Sequence, residues 1–194
     1  MKVEVELRVV SDAEPGTGLG GEVVDDYVPR TLDGRPLLRA SHLRGLLREQ
    51  VREIGEVLGR DGLCEEIFGQ AGRAVGDEGI LSVSDAVARE TAEPRFVSRT
   101  ALSARRTAEG QTLRTTEVVA AETRFDGEYH LVAEPGSLPD LALRLALLSL
   151  PAVGGGRTRG AGACVASIPG EERSPGELLD AVRARIDEEI AGPA

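Results

Sequence analysis

The stretch VGGGRTRGAGACV, residues 153–165, sets five glycines around Arg157 and Arg159. Glycine lets a backbone approach another molecule closely and take positive φ without strain, and arginine forks onto phosphate oxygens. Such a loop offers amide N–H groups, Gly155 and Gly156 foremost, and two cations to an anion such as phosphate. A second anion-seeking feature is the helix start at Ser41 and His42, with Arg44 and Arg48 close behind. His42 and His130 are the only histidines, so imidazole acid–base chemistry falls to one of them. His130 sits in a strand pattern and reads as structural, whereas His42 reads as a phosphate contact. Residues 95–114 carry Arg95, Arg99, Arg105, Arg106 and Arg114 against Glu109 alone, a localised cationic stretch. Each feature has a plainer alternative: a tight turn with solvated arginines at 153–165, and a basic insertion ordered only on binding at 95–114.

The net charge of −10 argues against a general nucleic-acid binder. The excess is concentrated, however. Residues 53–90 hold nine acids and three arginines, and residues 171–194 hold seven acids and three arginines. These two segments account for the whole imbalance, so the rest of the chain is close to neutral and a local cationic surface is compatible with the total. No run approaches the ~18 apolar residues of a membrane span. The N-terminus alternates like a strand and unlike a signal peptide, so a cytoplasmic protein with no membrane partner is expected. Cys64 and Cys164 are far apart, and neither a disulfide nor a structural zinc is expected.

The positioning elements follow from periodicity. Val3, Val5, Leu7 and Val9 alternate with charged residues, a half-buried strand. Residues 11–36 lack periodicity and form a long loop, the kind that usually serves function. Leu43, Leu46, Leu47, Ile54, Val57 and Leu58 mark one face of a helix with Ser41 as N-cap and Gly59 as stop. Arg44, Arg48 and Arg52 run along one stripe of it, and Arg52 also reads as a solvated residue paired with Glu49 and Glu56. Residues 79–88 read as a second strand, 90–116 as a polar insertion, 117–134 as strand or hairpin, and 162–168 as a further strand. Between the last two, SLPDLALRLALLSL is a buried helix with Pro139 in its first turn. A Ser174…Glu177 capping box opens an acidic helix. The order β-α-β-β-α-β predicts an α+β, ferredoxin-like (RRM-like) fold. It would comprise one domain over 1–170, an insertion between the second and third strands, and a C-terminal helix over 171–194.

The loop and first helix, VDDYVPRTLDGRPLLRASHLRGLLRE, resemble the signature of the RAMP superfamily, the repeat-associated proteins of CRISPR systems. There an aspartate precedes an RD…dG.PyIPGSSLKGxLR pattern, matched by Val24, Asp25, Arg30, Asp33, Gly34, Pro36, Leu43, Arg44, Gly45 and Arg48. EEIFGQAG, GILSVSDA, ETRFDGEYHL and GGGRTRGAGAC resemble further family elements in the right order. Arg39 and Ala40 depart from the usual Pro-Gly, and His42 stands where Ser or Thr is common.

The resemblance implies a guide-RNA-binding backbone subunit of a type III CRISPR effector complex. Ser41, His42, Arg44, Arg48, Gly155, Gly156, Arg157 and Arg159 would hold guide RNA. Residues 95–116 would form a thumb-like hairpin, with Arg99, Arg105 and Arg106 on phosphates and Leu102 or Leu113 as an apolar wedge. It further implies cleavage of target RNA by divalent-metal-dependent attack of the 2′-hydroxyl, with Mg²⁺ or Mn²⁺ as cofactor. Asp25 fits the family's spacing to Arg30 as metal ligand and catalytic residue. Asp26, one residue off, is the second catalytic candidate, and a solvated turn acid is the plain alternative for both. Expected partners are guide RNA, target RNA, other RAMP and large subunits, and copies of the chain stacked head to tail. Three alternatives stand beside this reading: the same scaffold without catalysis, a metal-independent repeat-processing ribonuclease, and a small-molecule-sensing regulatory domain. The single ferredoxin-like unit and the scarcity of histidine weigh against the ribonuclease.

Overall fold

In the alternating strand β1 (Lys2–Val9), Val3, Val5, Leu7 and Val9 are buried. The computed structural model describes residues 1–70, 79–100 and 113–191. On one side β1 pairs antiparallel with β7 (Arg124–Leu131), setting Leu7 opposite Phe125 and Val3 opposite Tyr129. On its other side it pairs with β8 (Cys164–Ser167). The short strands β2 (Leu37–Leu38), β3 (Leu81–Val83) and β4 (Ala86–Ala88) complete a six-stranded sheet in the order β2-β4-β7-β1-β8, with β3 also on β7. If β3 and β4 count as one broken strand, the four main strands lie in the order last, first, third, second. That is the ferredoxin-like arrangement expected from the sequence.

Helices α1 (Ala40–Leu58) and α3 (Leu138–Leu148) cover the apolar face. Around them lie α2 (Leu63–Phe68) against α1 and α4 (Pro175–Ala191) against α3. Leu138, Leu141, Ala142, Leu143, Leu145, Ala146 and Leu147 of α3 are all buried, as its nearly all-round apolar sequence requires. Below it, α4 inserts Leu178, Val182 and Ile186, spaced by single turns. Its capping box is formed, with Ser174 N–H donating to Glu177 Oε2 at 2.7 Å and Glu177 N–H to Ser174 Oγ at 3.3 Å. Cys64 and Cys164 are buried free thiols. Among the described residues no helix is long and apolar enough to cross a membrane.

The second strand differs from expectation. Val83 faces Tyr129 while Val87 faces Asp126, so one extra residue is accommodated at Ser84–Asp85 and the strand divides there. Such a bulge re-aims a side chain. Here it sends Asp85 to the start of α1, where Oδ1 accepts the Ala40 N–H at 2.6 Å. Helix α1 therefore begins one residue before Ser41, with Arg39 in the N-cap position and no side-chain cap of its own. Ser41 is not the N-cap, because a carboxylate from a distant strand takes that role. At the other end Gly59 adopts φ +69, and Arg60 N–H reaches Gly55 O at 2.9 Å. Val57, expected on the buried face, is 77% exposed; Val51 is fully buried on that face.

Between β4 and β7, β5 (Arg95–Arg99) and β6 (Arg114–Val118) pair antiparallel as a separate two-stranded ribbon. Arg105, Arg106 and Leu102 lie outside the described residues. The bulge assigns the cap to Asp85, so Asp85→Ala lowers stability by about 1 kcal/mol. Ser41→Ala leaves the urea midpoint unchanged, and equilibrium unfolding of the two variants checks both.

Candidate nucleic-acid interface

The loop segment Asp25–Tyr27 lies along β6. Asp25 N–H donates to Thr115 O at 2.7 Å, Glu117 N–H donates to Asp26 O at 2.9 Å, and Asp26 bridges Thr116 in parallel. Successive side chains of an extended segment leave on opposite faces, so Asp25 and Asp26 serve different sides. Asp25 Oδ2 accepts the Thr115 N–H at 2.6 Å. Asp26 turns the other way, and its Oδ1 accepts from Gly18 N–H at 2.9 Å and from the Thr17 hydroxyl at 3.3 Å. A Cβ on Gly16 would lie 1.7 Å from Asp26 Oδ2. Only glycine there admits the carboxylate.

This placement depends on Glu117, a residue the sequence reading passed over. Its side chain is buried, with Oε1 2.7 Å from Arg30 Nη2 and Oε2 accepting Val28 N–H at 2.9 Å. Arg30 Nη1 also donates to Gly34 O at 2.8 Å and Ala92 O at 2.9 Å. One ion pair thereby ties the aspartate loop, the turn after it, the approach to β5, and β6.

The glycine-rich loop has positive φ at Gly154, Gly156, Gly160 and Gly162. A Cβ at Gly162 would meet Val153 O at 1.8 Å, so the loop closes on itself only without a side chain. Several amides are spent internally: Gly155 N–H on Glu14 O at 2.7 Å, Gly162 N–H on Asp12 O at 2.8 Å, and Gly154 N–H on His42 Nε2 at 2.8 Å. Gly155 is thus a structural donor. The open amides are those of Gly156, Arg157 and Thr158, at a single 3-10 turn, where no acceptor is found among the described residues. Arg157 pairs with Glu49 of α1 at 3.1 Å, while Arg159 is exposed with no ion pair among the described residues.

These parts meet in a cleft of about 470 Å³ lined by Glu14, Asp26, Arg39, Ser41, His42, Gly154 and Gly155. The expected residues Asp26, Ser41, His42 and Gly155 come together there. Arg39, noticed in the sequence only as a departure from a pattern, joins them. Asp25 does not line the cleft. Because His42 Nε2 accepts a hydrogen bond, the proton of the neutral ring sits on Nδ1. Burial, and secondarily the charge of Arg157, push its pKa below the ordinary histidine value.

Arg44 and Arg48 are placed differently from expectation. The Arg44 guanidinium donates to Leu81 O and to Phe68 O, the latter at 2.9 Å, and lies over the Phe68 ring. Arg48 donates to Gly69 O at 2.9 Å. Both therefore cap carbonyls at the end of α2, Arg44 reaching the start of β3 as well, and neither lines the cleft. Arg52 pairs with Glu56 on the helix surface. Arg99 of β5 is 2.5 Å from Glu14, and Arg95 is 3.3 Å from Asp12, so both strap the ribbon to the segment that follows β1.

The opposite, open face of the sheet is unsuited to RNA. It surrounds a depression of about 540 Å³ with Glu4, Glu6, Asp85, Asp126 and Glu128, and Arg89 bridges Glu6 and Asp126. It also lacks the aromatic side chains on which RRM sheets stack bases, because Phe125 and Tyr129 face the core.

The sequence profile of the RAMP superfamily matches residues 6–165. The chain belongs to the RAMP superfamily. No curated protein sequence matches it. Among solved structures, a chain of the type III-B Cmr-β complex in its apo state shares 10% identity, with a TM-score of 0.67 over 88% of this chain and 98% of that one. A chain of the same kind of complex bound to cognate target RNA shares 19% identity, with a TM-score of 0.64 over 86% of this chain and 60% of that one. A chain of a type IV-B CRISPR complex shares 19% identity, with a TM-score of 0.64 over 90% and 92%. At these identities the likeness is one of fold. The RAMP fold thus carries here a cleft at the meeting of its first helix, aspartate loop and glycine-rich loop. Glu117 anchors that cleft, and Glu117→Ala strands the Arg30 charge; stability falls by about 3–5 kcal/mol in urea unfolding.

Proposed function

We propose that this RAMP protein is an RNA-binding backbone subunit of a CRISPR effector complex and that its cleft and glycine-rich loop hold the phosphate backbone of the guide. The observation carrying this reading is that Gly154 and Gly155 of the glycine-rich loop line one cleft with Arg39, Ser41 and His42, and that the loop continues from them into the open amides of Gly156, Arg157 and Thr158. Phosphate contacts of this kind position a strand without reading its sequence. Arg159, exposed and with no ion pair among the described residues, would pair with phosphate directly, whereas Arg99 and Arg157 must exchange Glu14 and Glu49 for it. Target RNA, other RAMP and large subunits, and stacked copies of the chain are the partners this role requires.

The placement of Asp26 supports a further activity, cleavage of the target RNA. It brings a carboxylate into the cleft, whereas Asp25 is engaged by Thr115 on the other face. The chain's donor set does not fit a resident Mg²⁺ or Mn²⁺. Among the described residues no three His, Cys, Asp or Glu side chains converge, and both loop carboxylates already accept N–H groups. Asp25 as a metal ligand is accordingly replaced by Asp26 as the carboxylate nearest a bound strand, and the non-cleaving scaffold is the second reading, favoured by that donor set.

The test is a reconstituted complex with guide, complementary RNA and Mg²⁺. Asp26→Ala abolishes cutting while guide binding persists, and Asp25→Ala leaves the rate within ~3-fold. Guide binding without cutting by the wild type establishes the scaffold. For RNA binding itself, Arg39→Ala and Arg159→Ala each lower the salt slope of the affinity by roughly 0.7. Unchanged slopes in both would remove the cleft from the guide path.

A further inference from the structure

From α1, Glu49 pairs with the Arg157 side chain, while His42 touches the backbone of the glycine-rich loop as an acceptor, Nε2 receiving the Gly154 N–H at 2.8 Å. Gly154 has φ +83, and a Cβ there would lie 2.8 Å from Glu14 O, so this backbone has little room to move aside. Protonation at Nε2 would set two N–H donors against one another. That arrangement is unfavourable unless an anionic oxygen lies between them and accepts from both. The cleft is where such an oxygen would enter, since His42 and Gly154 both line it.

We infer that His42 is a proton-linked phosphate clamp: on binding RNA it takes up a proton, releases the Gly154 N–H, and shares one phosphate oxygen with it. This deepens the RNA-binding reading and rests on it. The groups around the ring are Arg157 with its partner Glu49, and the cleft residues Arg39, Asp26 and Glu14. In the free protein, burial and secondarily Arg157 disfavour the charged ring. A phosphate reverses both influences by supplying a counter-charge and a hydrogen-bond acceptor. Linkage fixes the sign: a proton taken up on binding makes affinity rise as pH falls.

The experiment measures binding of the full chain to a tetramethylrhodamine-labelled oligouridylate, whose own groups do not titrate in this range, between about pH 7.5 and 5.5. Wild-type affinity increases about tenfold across the interval. His42→Gln, whose amide oxygen accepts from Gly154 without titrating, loses the pH dependence. An equal slope in wild type and His42→Gln overturns the inference. A parallel NMR titration of the wild type covers a variant that fails to fold. The His42 resonance shifts to a higher pKa with oligouridylate present, while exposed His130 serves as the reference. An unmoved His42 titration overturns the inference while leaving RNA binding intact. Absence of binding at every pH overturns the RNA-binding reading itself.

Discussion

A single buried carboxylate organises the functional end of this molecule. Glu117 has no water to solvate it, so both its oxygens must find donors within the protein. Arg30 and the Val28 amide supply them, and Nη1 of Arg30 donates to the carbonyls of Gly34 and Ala92. A buried pair of this kind adds less to stability than it does to uniqueness, because any other packing leaves a charge stranded. With the pair made, β6 and the aspartate loop share one register, and that register decides which aspartate meets the cleft.

Charge is divided in the same spirit. Acids crowd the open sheet face, while the exposed Arg39 stands in the cleft beside the glycine-rich loop. Where acids approach the cleft they are engaged, Glu14 by Arg99 and Glu49 by Arg157. A polyanion approaching from the sheet side meets repulsion, and one approaching the loops meets donors. Composition alone argues against nucleic acid; geometry removes the objection.

Most of the scaffold was legible in the sequence because local rules set it. Alternation marked β1, apolar spacing marked α1 and α3, and Gly59, Pro139 and Ser174 punctuated α1, α3 and α4 in turn. The site was less legible because its decisive facts are non-local. Nothing near Ser41 announces that Asp85, from a distant strand, will cap the helix. The parity of Asp25 and Asp26 depends on pairing with a strand nearly ninety residues away. Arg44 and Arg48 carry the spacing of a phosphate-binding stripe, yet carbonyls at the end of α2 and the start of β3 claim them. Glu117 lies in a short polar run that resembles any exposed strand, and only its burial distinguishes it.

The bulge between β3 and β4 carries a consequence for how this chain can vary over time. Before it, odd-numbered residues of the strand face the core, as Leu81 does; after it, even-numbered ones do, as Ala86 and Ala88 do. A lineage that lost one residue there would invert the second half of the strand, exposing its alanines and withdrawing the cap from α1 together. Changes of length must therefore arise in the connectors or in compensating pairs, and this short strand acts as a ruler against which the surrounding loops are free to lengthen.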